Sequence, residues 1–215
     1  MGTNGSNSVL VEVSKAFHTR EVSSPKSGTR IERSVHRIAL EQARAHRRLG
    51  RLPSKETKLR SEVLACAANM GFALELYLKA QTIVGSGMLI TGHDLVKIYE
   101  QFPVFLKTEA DKRLVKMLAK NQHGEAVAIA FMTSPNPPGK PAEAAFPQEG
   151  SPQNFKEALG RINEMFVVAR YFYDRVGSAK WVSFRYHFGL SDMCCEILDS
   201  IIEDYNRGFF KATPA

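Results

Sequence analysis

Residues Asn69 to Leu95 read NMGFALELYLKAQTIVGSGMLITGHDL, and this run decides the fold. Its first half is apolar nearly all the way round and carries only Glu75 and Lys79 as charges, the pattern of a helix buried on most sides. Gly85 and Gly87 end it. Upstream, Ser54 and Thr57 open the same helix, along which Leu59, Val63, Cys66, Met70, Ala73, Tyr77 and Val84 keep helical spacing. This is the central helix, and an ion pair inside it costs free energy unless partners satisfy it.

Shorter patterned segments surround it. Thr29 to about Leu49 reads as a basic helix, with Ile31, Val35, Ile38, Ala39 and Ala43 on one stripe, stopped by Gly50 and Pro53. His93 to Phe102 makes a short helix packing Leu95, Ile98 and Tyr99 and ending before Pro103, while Thr108-Glu109-Ala110-Asp111 starts another that runs to about Gln122. Ala126 to Met132 is apolar enough for a strand or a buried loop. Residues 133–152 hold six of the ten prolines, which marks an insertion. Beyond Pro152, Phe155, Leu159, Ile162, Phe166 and Arg170 share one face of a helix reaching about Val176. An aromatic linker, Trp181 to His187, then leads to Ser191, the expected cap of a last helix with Met193, Ile197, Leu198, Ile201 and Tyr205 inward. Five or six helices with short connections and no sheet imply an all-α bundle.

The net charge of +7 is unevenly placed: residues 1–60 hold thirteen Lys/Arg against five Glu, a balance of +8, which leaves −1 for the remainder. Such a basic arm on a nearly neutral body is the footprint of contact with polyanions, or equally of a solvated extension. The candidate phosphate-binding residues on it are Arg37, Arg44, Arg47 and Arg48. No run of about eighteen apolar residues suits a membrane span, and no leader pattern opens the chain, so the expectation is a cytoplasmic protein without membrane contact. Cys66, Cys194 and Cys195 lack metal-ligand spacing and read as core thiols. Phosphate-binding loops, dinucleotide fingerprints and zinc-type histidine pairs are all missing, so the expectation is no metal and no cofactor.

The segments F-x-L-E-x-Y-L-K-A at Phe72–Ala80 and G-H-D-L at Gly92–Leu95 resemble the HEPN domains, all-helical modules many of which act as RNases in bacterial defence and toxin systems. The resemblance covers roughly Leu59 to Tyr205. It implies an up-and-down bundle of about four core helices with an extra basic helix in front. Residues 1–28 then form a flexible N-terminal segment, 29–53 the basic amphipathic helix, and 54–210 the HEPN-like domain with its Pro-rich insertion at 133–152.

Ribonuclease members of that family carry an Arg and a His separated by four to six residues and paired across a dimer. The Arg stabilises charge on the phosphate and the His moves a proton, without a metal. Here Arg170 has no histidine in range, Arg185 precedes His187 by only two residues, and the one literal match, Arg30 with His36, lies ahead of the core. The candidate catalytic set is therefore His93, Arg170, Arg185 and His187. Asp94, Lys79, Trp181 and Tyr186 are candidate binding residues, the aromatic pair by stacking on a base.

Each has a structural alternative. His93 and Asp94 either present a helix start to an anion or simply cap it; Trp181 to His187 either binds a base or forms a corner that locks the last helix. Glu75, Lys79 and Arg170 read first as a buried charge network. Three functions follow: an RNA- or nucleotide-binding HEPN-like protein, a dimeric metal-independent RNase toxin with an antitoxin-like partner, or a helical module that holds an acidic protein through its basic arm.

Overall fold

Apolar patterning governs which segments become helices here, and its largest product is the 27-residue helix at the centre of the molecule. The structure, a computed structural model, describes residues 28–51, 60–120, 127–132, 150–170 and 181–210. For 60–61, 127–132, 164–170 and 181–185 it describes the backbone course alone. Six α-helices run through these residues: α1 His36–Gly50, α2 Arg60–Ser86, α3 Leu95–Glu100, α4 Val104–Lys120, α5 Phe155–Arg170 and α6 Phe188–Asn206. The result is an all-α bundle. The expectations for residues 1–27, for the helix opening at Ser54 and for the segment 133–149 lie outside the described residues.

Helix α2 packs against α1, α3, α5 and α6, and Ala67, Ala73, Leu74, Tyr77, Leu78 and Ala80 along it are fully buried. It is long and apolar enough to cross a bilayer, yet 61% of its most apolar window is buried inside the molecule. The rest of the core comes from Leu95 and Ile98 of α3, Leu106 and Leu114 of α4, Phe155 and Leu159 of α5, and Ile197, Leu198 and Ile202 of α6. Each such side chain contributes about 1.5–3 kcal/mol when removed from water, which makes this core the main source of stability.

Helix α1 corrects the sequence reading. Its buried face is His36, Leu40, Ala43, Arg47 and Gly50, whereas Val35 and Ile38, expected inward, are exposed. The helix thus belongs to the bundle. Gly50 permits this, because its Cα approaches the backbone of Met70 so closely that a side chain would not fit. Arg44 bridges Asp199 and Glu203 of α6, Arg47 bridges Asp192 and Glu196, and Arg51 reaches Asp192 as well. The rising numbers on α1 meet falling numbers on α6, so these helices run antiparallel.

Three further departures have local causes. Helix α4 begins at Val104, directly after Pro103, whose carbonyl accepts the amides of Leu106 and Lys107; proline suits a helix start because it has no N–H to leave unpaired. Ser191 lies one turn inside α6, fully buried, with its hydroxyl donating to the His187 carbonyl at 2.8 Å. Finally, two short antiparallel strand pairs accompany the helices: β1 Thr29–Arg30 with β2 Met88–Leu89, and β3 Val127–Met132 with β4 Trp181–Tyr186. The second pair joins the apolar segment and the aromatic linker, which the sequence alone does not connect.

Candidate functional site

Two glycines place the candidate site. Gly87, just past α2, and Gly92, just before His93, adopt positive φ of 69° and 104°, a conformation costly for residues with a side chain. The chain between them turns back along α2, and His93 returns to the level of Glu75. Its Nδ1–H donates to Glu75 Oε2 at 2.9 Å, while Lys79 Nζ donates to Oε1 at 2.6 Å. A carboxylate only accepts, so the hydrogen lies on Nδ1 and proton exchange with a ligand runs through Nε2.

Burial differs sharply within this cluster. Glu75 is buried, with side-chain exposure of 6%, against 18% for Lys79 and 48% for His93. A buried carboxylate therefore anchors an imidazole that half faces solvent. The charge network expected around Glu75 and Lys79 is present, with His93 as its third member. Arg170, the expected third member, is the final residue of α5, and its side chain lies outside the described residues.

Asp94 is the N-cap of α3: its Oδ1 accepts from the amides of Val96 and Lys97, both at 3.1 Å. This is the structural alternative raised from the sequence. Leu95 N donates to Asn163 Oδ1 at 2.9 Å and fixes α3 to α5. In front of His93 an open cleft of about 500 Å³ is lined by Met88, Ile90, Thr91, Lys97, Ile98 and Gln101, among others. Arg30 stands opposite Met88 in the β1–β2 pair. The cleft lining is thus mostly apolar, with His93, Asp94 and the exposed Lys97 among its polar members and Lys97 Nζ 3.6 Å from Asp94 Oδ2.

The second candidate group lies elsewhere. Tyr186 is completely buried, its hydroxyl donating to the Ala67 carbonyl at 3.3 Å and its ring set edge-on to Phe188 at 4.2 Å. It cannot stack on a base. The His187 carbonyl accepts the amide and the hydroxyl of Ser191, so Tyr186 and His187 form the corner that locks α6. Trp181 and Arg185 lie in β4 opposite Met132 and Ala128, with side chains outside the described residues. Ala67 and Glu75 are eight residues apart on α2, about 12 Å along its axis, so the two groups anchor at different levels.

Of the arginines expected to hold phosphate, Arg44 and Arg47 are committed to α6. Burial works against the Arg47 charge, but its hydrogen bond to Asp192 and the attraction of that carboxylate together outweigh it and hold the guanidinium more firmly protonated than usual. Arg37 and Arg48 remain exposed. The literal motif partner His36 is buried, bonded to the Arg33 carbonyl and to Asn206 Oδ1, which removes it from a surface reaction. All three cysteines are buried, and desolvation pushes their thiols up, so none supplies a thiolate nucleophile. Among the described residues no three His, Cys, Asp or Glu side chains gather at a metal-sized site.

The missed element of the site is the Glu75–His93 bond, whose partners are separated by a glycine-bounded reversal. The adjacent Gly87 and Gly92 are the signal that could have placed them together. No family model, curated protein or solved structure matches the chain.

Proposed function

We propose that this chain is a HEPN-like helical protein that binds RNA or a nucleotide in the cleft headed by His93. One observation carries the reading: an ionisable cluster on the most buried helix, Glu75 with Lys79, holds a half-exposed imidazole at the mouth of a cleft of ligand size. Lys97 supplies an exposed cation beside it, while Met88, Ile90 and Ile98 offer apolar surface to a ribose or base. The pairing of Arg44 and Arg47 with α6 moves the proposed site from the basic arm to this cleft.

Fluorescence anisotropy with a labelled oligoribonucleotide, and calorimetry with adenosine nucleotides, test it. Binding is expected to weaken with rising salt, as phosphate contacts require, and to fall at least about tenfold in His93→Ala and in Lys97→Glu. Lys97 is largely solvent-facing, so Lys97→Glu should leave the melting temperature nearly unchanged, whereas His93→Ala should lower it slightly because Glu75 loses a partner but keeps Lys79. No binding at low salt, or binding indifferent to both substitutions, refutes the proposal.

A second reading, the metal-independent RNase, is favoured by the same Glu75–His93 bond, because a carboxylate-held imidazole is the usual arrangement of a general base. Cleavage of RNA in EDTA that drops about a hundredfold in His93→Ala supports it. Binding without cleavage leaves the binding protein.

A further inference from the structure

Helix α1 is patterned on two faces at once. Its buried face docks on the bundle, and on the opposite face Ile38, Gln42, Ala45 and Leu49, with Val35 just ahead of the helix, recur at alternating steps of three and four residues. That is the seam of a two-stranded coiled coil, two heptads long. Val35 is 39% exposed, Ile38 51% and Leu49 64%, so the seam faces solvent.

We propose that this seam docks a second copy of the chain, with the two α1 helices antiparallel about a two-fold axis. The charges bordering the seam argue for this occupant. Arg44, Arg47 and Arg51 are held by acids of α6, which leaves Glu41 and Arg48 as the charged residues one place ahead of Gln42 and Leu49. When Ile38 of one copy is set against Leu49 of the other, and Gln42 against Ala45, Glu41 falls opposite Arg48 twice, once on each side of the axis. The other shoulder sets Ala39 against His46, with no like charges in contact.

A parallel pair loses this complementarity. There Glu41 would meet His46, and Arg48 would face a position near Pro53, with no acid. Salt bridges at these flanking positions are what set orientation and partner in coiled coils. The polar Gln42 inside the seam serves register at some cost in stability. One helix of fifteen residues offers only about 22 Å of contact, so association belongs at the weak end of the range. A polyanion is a poorer fit, since Glu41 would lie against it.

Sedimentation velocity of the full chain from about 1 µM to about 1 mM covers the range of weak association. The expected result is a reversible dimer, weakened at least tenfold by Ile38→Asp and by Leu49→Asp with unchanged melting temperature. Glu41→Arg and Arg48→Glu each weaken it, and the double variant Glu41→Arg/Arg48→Glu restores it.

Orientation is read by cross-linking. Ile38→Cys mixed with Leu49→Cys should form a disulfide-linked heterodimer that neither variant forms alone, and the native cysteines are buried and do not compete. A chain monomeric throughout, or a dimer indifferent to both aspartates, overturns the proposal. Failure of the double charge exchange to restore association overturns the antiparallel register. Loss of binding to an oligoribonucleotide or an anionic vesicle, with the chain always monomeric, assigns the face to that ligand instead.

Discussion

Replacing Gly50 with alanine tests the claim that α1 is a built-in part of the bundle. The added Cβ would lie 2.7 Å from Met70 N and 3.0 Å from its Cα and Cβ, where ordinary contact begins at 3.4 Å. The obstacle is mostly backbone of the central helix, so no side chain can swing away. Overpacking of this kind costs about 1–3 kcal/mol. Against it stands a gain of up to about 1 kcal/mol for alanine over glycine in a helix, reduced here because Gly50 is the final residue of α1. The net expectation is a loss of about 1–2 kcal/mol, which in a domain of this size lowers the melting temperature by about 3–6 °C.

Gly160 is the control. It lies within α5, and no atom of the described residues comes within 4 Å of where its Cβ would be. Gly160→Ala therefore keeps the propensity gain without the clash and should raise the melting temperature by about 2–3 °C. Thermal unfolding followed by circular dichroism reads both. A Gly50→Ala protein that melts at or above the wild type would mean that α1 and α2 are not in close backbone contact.

Three further expectations are independent of this one. Glu75→Ala should cost about 2–3 kcal/mol in denaturant unfolding, toward the lower end because His93 is half exposed and can be rehydrated; an unchanged midpoint would show the cluster to be energetically silent. Removal of residues 1–50 takes Leu40, Ala43 and the arginine clasp out of the core, so the remainder should lose cooperative melting; a sharp transition like that of the full chain would return α1 to the status of an appendage. The Asp192 carboxyl, opposed by burial but bonded to Arg47 and Arg51, lies below its ordinary value of 3.8 in the folded chain. Its contribution is thus complete above about pH 4 to 5 and lost as pH falls further. Acid titration of unfolding free energy should show a shallower fall in Asp192→Asn, and identical slopes would refute the assignment.

Much of the local pattern is legible in the sequence, although Thr108 and Ser191 resemble helix starts and lie one turn inside their helices. The all-round apolar character of α2 states its burial, Glu75 and Lys79 sit at the four-residue spacing that makes helical neighbours, and Asp94 announces a cap. The larger departures share a cause in distant partners. Arginine on the buried face of α1 looks like a solvated charge until Asp192 and Asp199, 145 and 155 residues away, are placed beside it. Of the expected apolar stripe, Val35 and Ile38 then point outward while Ala43 stays buried. The pairing of β3 with β4 is equally invisible, because strand partners across such a distance leave no periodic mark. In the candidate site the residue types were legible, whereas the bond between Glu75 and His93 depends on a reversal set by Gly87 and Gly92.

The clasp between α1 and α6 also fixes an order of events. Helices α1 and α2 are close in sequence and can meet as soon as both exist, but the acids that neutralise Arg44 and Arg47 are synthesised 155 and 145 residues after them. Closing a loop of that length costs about 4 kcal/mol of chain entropy, which favours joining α6 after the rest has condensed. A nascent or C-terminally cut chain therefore carries an arginine-rich face that the finished molecule keeps covered. Any polyanion near the site of synthesis meets that face first, and α6 must displace it to complete the fold.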